Sequence, residues 1–162
     1  MTEKNEHLAP FSHTAQNRCF GCGQANPTGL HLEFQLAADG AVVSLATISD
    51  AFEGPHGYLH GGIIATLLDE TMSKALRAHG LTTMTAQLEV DYRRPVPSGT
   101  PIRIEGMVTR SEGHKHWSEA KILDAKGNVL AAGKGFFVEV RRRSAGVEAA
   151  GRPPQNAPSE SC

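Results

Sequence analysis

A chain of 162 residues, 40% apolar and 20% charged, holds enough material for one soluble domain with its own core. The formal net charge of −1 gives no general attraction to nucleic acid or to an anionic membrane, and no apolar run is long enough to span a bilayer. Met1 to Asn5 is polar without a signal-type apolar segment, and three cysteines do not pair into a disulfide framework, so a reducing cytoplasm is the expected location.

Residues 1–17 are mixed polar and read as a flexible N-terminal arm. Cys19-Phe20-Gly21-Cys22-Gly23 follows, leading into the turn-rich Asn26-Pro27-Thr28-Gly29. A C-x-x-C with a following glycine is half of a zinc knuckle or a redox pair. A structural zinc needs two further ligands, no second C-x-x-C exists, and His7, His13 and His31 are no more than possible donors. The expectation is therefore a packed turn with two buried thiols, and no metal.

Leu30 to Leu36 alternates apolar and polar residues, the pattern of a half-buried strand. Asp39-Gly40 is a hairpin signal, and Ala41 to Ile48 is the partner strand. Ser49 to Leu59 forms a loop in which Glu53 and His56 are possible site residues, since loops of this kind often line sites.

His60-Gly61-Gly62 then opens a helix predicted over residues 60–79. Ile63, Ile64, Leu67, Leu68, Met72, Ala75, Leu76 and Ala78 form one apolar face, with Thr66, Glu70, Ser73, Lys74 and Arg77 opposite. Asp69 falls on the border, and Gly80 supplies the stop. Adjacent glycines let other groups approach the backbone closely, and a helix start carries free N–H groups at its positive dipole end. Such a start suits an anion or an oxyanion.

Four strands follow. Residues 82–93 carry Met84, Ala86, Leu88 and Val90 on one face and Thr85, Gln87, Glu89 and Asp91 on the other. Residues 101–110, 115–123 and 129–140 complete the set across short turns. Six strands and one apolar helix predict an α+β fold in which a curved antiparallel sheet wraps the helix. The domain is expected over 18–141, with a disordered tail at 142–162 that lacks periodicity.

Gly61 and Asp69 are eight residues apart, about 12 Å along a helix. A reacting carbonyl needs its oxyanion donor and its base or nucleophile each within about 3.5 Å. One helix cannot supply both. Two antiparallel helices across a two-fold axis could, so an enzyme using both groups should be at least a dimer.

The order of two strands, HGG-initiated helix and four strands resembles the hotdog fold. His60-Gly61-Gly62 followed by Asp69 is similar to the PaaI-like (phenylacetate-degradation type) acyl-CoA thioesterases, as are the Cys19–Gly23 lead, Asn26-Pro27-Thr28-Gly29-Leu30 and Tyr92-Arg93-Arg94-Pro95. The resemblance covers about residues 18–140. It implies hydrolysis of an acyl-CoA thioester, medium-chain or aromatic, to free acid and coenzyme A, with no cofactor beyond the coenzyme A of the substrate. It implies Gly61 as oxyanion donor, Asp69 from the facing subunit as nucleophile or general base, Thr85 as the group positioning water, and His60 as a brace of the helix start. Gly62, Gly54, His56, Met72, Arg93 and Arg94 become the implied substrate contacts, with Met72, Leu76 and Trp117 around the acyl pocket. Lys115, Lys134 and Arg141 are further cations for the coenzyme A phosphates. Some relatives carry an asparagine where this chain has Gly54. The implied partners are the substrate and the chain's own copies, as a homodimer that pairs into a tetramer, with neither nucleic acid nor membrane. A non-catalytic acyl-CoA-binding protein and an enoyl-CoA hydratase or dehydratase using His56 or His60 are the alternatives.

Overall fold

The computed structural model describes residues 9–10 and 14–140. The expected tail at 142–162 and most of the expected arm at 1–17 lie outside them. Among the described residues, seven strands form one antiparallel sheet: β1 (Ala9–Pro10), β2 (Gln35–Leu36), β3 (Val42–Thr47), β4 (Thr83–Tyr92), β5 (Pro101–Glu112), β6 (Lys115–Leu123) and β7 (Val129–Glu139). Their order across the sheet is β1-β2-β3-β5-β6-β7-β4, which leaves β4 as one edge. A 3-10 turn (Asp50–Phe52) precedes the one α-helix among the described residues, α1 (Gly61–Ala78), and the sheet wraps it as the sequence predicts. No described helix is long and apolar enough to cross a membrane.

The helix ends where the chemistry says it should. His60 is the N-cap, its Nδ1 accepting the Gly62 N–H at 2.9 Å, and Gly80 turns the chain out at φ +78°. Ile64, Leu67, Leu68, Thr71, Met72, Ala75 and Leu76 are buried. The helix approaches the sheet closely because three registered strands present almost no side chain beneath it. Gly106 of β5 pairs with Ala120 of β6, which pairs with Gly133 of β7. A Cβ on Gly106 would lie 2.8 Å from Thr71 Cγ2, and one on Gly133 would lie 3.3 Å from Leu68 Cβ. This shallow trough seats Leu68, Thr71 and Met72.

Three expectations need correction. Among the described residues, the strand predicted over 30–36 is ladder-paired only at Gln35–Leu36. Its alternation is real, with Leu32 and Phe34 in the core, but His31 adopts φ +52° and breaks the extended run. Glu70 and Lys74, placed opposite the apolar face, are covered: their side chains are 13% and 14% exposed, because the Cys19–Cys22 segment packs over them. On β4, Ala86 is an extra residue in the register with β7, since Thr85 pairs with Phe137 but Gln87 pairs with Phe136. This bulge reverses the facing of everything before it. Thr85 turns to the helix side with Leu88 and Val90, and Met84 turns outward, 65% exposed.

The trough predicts that Gly106→Ala destabilises the domain by about 1–3 kcal/mol through overpacking against Thr71. Urea unfolding of the two proteins measures it. An unchanged midpoint would mean the helix is free to lift from the sheet.

Candidate active site

The flank of α1 that faces β4 carries Asp69, two turns into the helix. Its carboxylate is half-buried, and Oδ1 accepts the Thr85 hydroxyl at 2.7 Å. The β4 bulge makes this bond possible, since a regular strand would aim Thr85 away from the helix. Oδ2 accepts nothing from the described residues and stays available to a ligand or water. Burial pushes the Asp69 pKa above its ordinary 3.8, against the lowering effect of the Thr85 hydrogen bond, and Glu70 next to it adds to the rise. The group is thus a stronger base than a solvated aspartate.

At the helix mouth, Gly62 N–H is used by the His60 cap, whereas Gly61 N–H has no partner among the described residues. No acidic residue sits in the first turn to neutralise the positive dipole end. Tyr92, the last residue of β4, donates its hydroxyl to Gly61 O at 2.9 Å, and its ring would touch a Cβ placed on Gly61 at 3.7 Å. The same edge strand therefore touches both groups: Thr85 holds Asp69 and Tyr92 holds Gly61. Sequence reading did not single out Tyr92 for a role; an aromatic seven positions after Thr85 on one strand was the available signal.

The remaining residues take varied places. Gly54 lies in the loop beside His60, where a Cβ would come within 3.2 Å of His60 Cα, so a larger residue would crowd the cap. His56 is at the exposed loop tip, 3.4 Å from Glu53, whose other oxygen accepts from Ser98 Oγ at 2.5 Å. The Ser98 hydrogen bond, with help from the Gly57 N–H and His56, lowers the Glu53 pKa. Glu53 is thus a clamp of the loop onto the 95–99 turn. Arg93 and Arg94 follow Tyr92; both backbone N–H groups bind Leu130 O, and the Arg93 guanidinium pairs with Asp91 at 2.7 Å.

Met72, the implied neighbour of an acyl pocket between the helix and sheet of paired subunits, lies beneath the protomer surface. It is fully buried with Leu76 in the core, and its sulfur faces Gly135. Trp117 lies on the other side of the sheet from His116 and Ser118, stacked on Phe136 at 5.1 Å under the Arg110 guanidinium. Lys115 and Lys134 are exposed, and Arg141 is outside the described residues. A groove of about 780 Å³ runs over the outer sheet face past Glu89, Glu105, Met107, Glu119 and Lys134. Asp69, Gly61 and Thr85 are not among its lining residues.

The comparisons with known proteins agree on one family. The thioesterase superfamily model matches residues 56–131. An acyl-coenzyme A thioesterase THEM4 of Xenopus laevis is 36% identical over 97 residues, 60% of this chain and 44% of that protein. The chain thus spans less than half the length of that curated relative. Among solved structures, the thioesterase superfamily protein RHA08564 has 31% identity and a TM-score of 0.72, covering 75% of this chain and 60% of its own. The BH2602 protein of Bacillus halodurans, solved with CoA, has 28% identity and a TM-score of 0.63, covering 70% and 77%. The PaaI protein of Escherichia coli, at 19% identity and a TM-score of 0.63 over 68% and 80%, shares the fold.

The environment of Asp69 sets a pH dependence of stability. Its pKa is raised in the folded state, so folding favours the protonated form. The native state therefore loses stability as pH climbs from the unfolded value through the folded one, and carries the full penalty above it. Asp69→Asn should raise Tm at pH 7, with the gain shrinking towards zero at about pH 3, where the parent carboxyl is protonated in both states. Thermal unfolding at the two pH values checks this. A shift of equal size at both would rule out the charge as its cause.

Proposed function

We propose that this chain, whose residues 56–131 match the thioesterase superfamily model, belongs to that superfamily and hydrolyses acyl-CoA thioesters to a free acid and coenzyme A. The observation that carries this reading is a pair of groups bordering β4 that have no partner among the described residues: an Asp69 oxygen and the Gly61 N–H at a helix start. One is a base or nucleophile with a raised pKa, and the other is an oxyanion donor.

The two groups act together across a dimer. β4 is a ten-residue edge with unpaired backbone groups and an exposed Met84, a surface that invites strand pairing. Two copies joined antiparallel along β4 bring their helices side by side in opposite directions, so that Gly61 of one copy faces Asp69 of the other. The thioester carbonyl oxygen then takes the Gly61 N–H and the positive end of α1. Thr85 holds Oδ1 of Asp69, so Oδ2 either removes a proton from water or attacks the carbonyl carbon itself. Negative charge gathers on the carbonyl oxygen, where the amide awaits it. With Asp69 as base, water's oxygen forms the new C–O bond, the C–S bond breaks, and the proton Asp69 took from water goes to the leaving thiolate. With Asp69 as nucleophile, C–S cleavage leaves a mixed anhydride on Asp69, which water then hydrolyses to the free acid, restoring the carboxylate and supplying the thiolate's proton. His60 keeps the first turn in place through its cap, and Arg93 and Arg94, just past Tyr92, offer cations to the coenzyme A phosphates. The acyl preference carried by the resemblance is medium-chain or aromatic, and dimers pairing into a tetramer follow the same resemblance.

Two variants test the mechanism. Asp69→Asn should lower kcat by about 10²–10⁴-fold. Gly61→Pro should lower it by about 10²–10³-fold with the fold kept, because proline suits the first helical position and His60 already has the extended backbone a residue before proline needs. Co-expressed, the two inactive chains should recover activity, since each heterodimer holds one site with both groups intact. Rates on benzoyl-, phenylacetyl-, hexanoyl- and palmitoyl-CoA, read by thiol release, give the acyl preference. Unimpaired hydrolysis by Asp69→Asn, or no recovery in the mixed dimer, would defeat the mechanism. Hydration of crotonyl-CoA without thiol release would favour the hydratase instead.

A further inference from the structure

The opposite flank of α1 holds a second group of reactive side chains that hydrolysis does not use. The Cys19–Gly23 turn folds over Glu70, and the sulfurs of Cys19 and Cys22 and a Glu70 carboxylate oxygen all lie within 4.8 Å of one another. Cys19 Sγ donates to Glu70 Oε2 at 3.3 Å, and Lys74 Nζ sits 3.2 Å from the other oxygen, Oε1. The turn is held tightly. Asn17 Oδ1 accepts the Cys19 N–H at 3.0 Å, Asn17 Nδ2 donates to Cys22 Sγ at 3.2 Å, and Gly23 N–H returns to Cys19 O at 2.8 Å. A Cβ on Gly21 would strike Glu70 Cγ at 2.7 Å, and one on Gly23 would strike the Cys19 nitrogen at 2.4 Å. Only glycine lets the turn close over the carboxylate.

We propose that Cys19, Cys22 and Glu70 form a structural site for a thiophilic divalent cation of the zinc type, with Lys74 as an outer partner of the carboxylate. In a tetrahedral zinc site, with metal–sulfur bonds of about 2.3 Å and metal–oxygen bonds of about 2.0 Å, donor atoms stand roughly 3.5–3.8 Å apart. The present spacing, no more than 4.8 Å, needs a contraction of about 1.3 Å at most. Charge favours the exchange. Without metal, two neutral thiols, one carboxylate and one ammonium sum to zero. A divalent ion entering as both thiol protons leave keeps that sum at zero, so the half-buried cluster carries no net charge in either form. The proton that Cys19 shares with Glu70 Oε2 occupies the position the ion would take, while Lys74 keeps its bond to Oε1 and fixes the carboxylate, as an outer-shell group does. The Asn17 amide is the matching outer donor for the Cys22 sulfur. Cys22 is fully buried and Cys19 half-buried, so the ion has an entry side, and a water completes the fourth position. The third donor comes from the helix, 48 residues after Cys22, which is why no local spacing in the sequence announced it.

The test uses the full chain carrying Cys162→Ser, so that Cys19 and Cys22 hold the only thiols. Stripped with chelator and titrated with Co²⁺ under a phosphine reductant, it should bind one equivalent. A sulfur-to-cobalt charge-transfer band and the d–d bands of a tetrahedral ion should appear, and Zn²⁺ should displace both. Glu70→Gln should weaken binding by at least about tenfold, and Cys19→Ser with Cys22→Ser should abolish the band. Should the serine variants fail to fold, protection of the Cys19 thiol from alkylation by Zn²⁺ in the Cys162→Ser protein gives the same answer. No charge-transfer band in the folded protein, no protection by Zn²⁺, or a cobalt affinity indifferent to Glu70→Gln would each overturn the site. Thiol release from acyl-CoA is measured separately and bears only on the hydrolytic reading.

Discussion

The seating of one helix in a trough of small residues governs the rest of this structure. Gly106, Ala120 and Gly133 stand in register on three neighbouring strands, and Leu68, Thr71 and Met72 settle onto them. With so little side chain between helix and sheet, the rotation of α1 about its axis has little freedom. A few degrees of roll would drive Thr71 or Leu68 into backbone. Close packing of this kind converts an apolar stripe into a fixed orientation. Every other residue on the helix then has a determined address.

Two of those addresses matter most. Asp69 and Glu70 are neighbours in sequence, but one leans toward β4 and the other toward the Cys19–Cys22 turn. The helix thus separates two kinds of chemistry by its own thickness. On one flank, a partly desolvated carboxylate has one oxygen without a partner among the described residues, beside the β4 edge of their sheet. On the other, a carboxylate is covered, paired with Lys74 and bonded to a thiol. Burial alone would lower the Lys74 pKa, but the charge of Glu70 and the Cys22 sulfur outweigh it and raise it. Burial together with Glu70 pushes the Cys22 thiol up to about 12, so it remains neutral at ordinary pH. Glu70 also contributes to the raised pKa of Asp69, which gives the two flanks a modest electrostatic link.

The edge strand binds the mouth and the middle of the helix to one element. Thr85 reaches Asp69 only because Ala86 is bulged out, and Tyr92 reaches Gly61 at the strand's far end. A bulge costs ladder hydrogen bonds, and its use here is to turn one hydroxyl through the sheet. Beside this, the loop at 53–60 and the turn at 95–99 are tied by the Glu53–Ser98 bond, which holds the approach to the His60 cap.

Much of this was written locally and could be read there. The helix limits followed from His60 and Gly80, the long strands from their alternation and glycine turns, and the family resemblance from His60-Gly61-Gly62 with Asp69. Such features depend on backbone preferences and on periodicity, which act within a few residues of each other. What tertiary structure decided was where flanks meet. Leu30–Leu36 alternates like a strand, yet among the described residues it finds ladder partners only at Gln35–Leu36. Thr85 looked outward until the bulge reversed it, and Glu70 and Lys74 looked solvated until a segment some fifty residues earlier closed over them. Met72 could be read as apolar from the periodicity, but only packing set it over Gly133 and Gly135. A periodic pattern tells which residues share a face. What covers that face depends on register and packing between distant parts of the chain, and no local propensity encodes it.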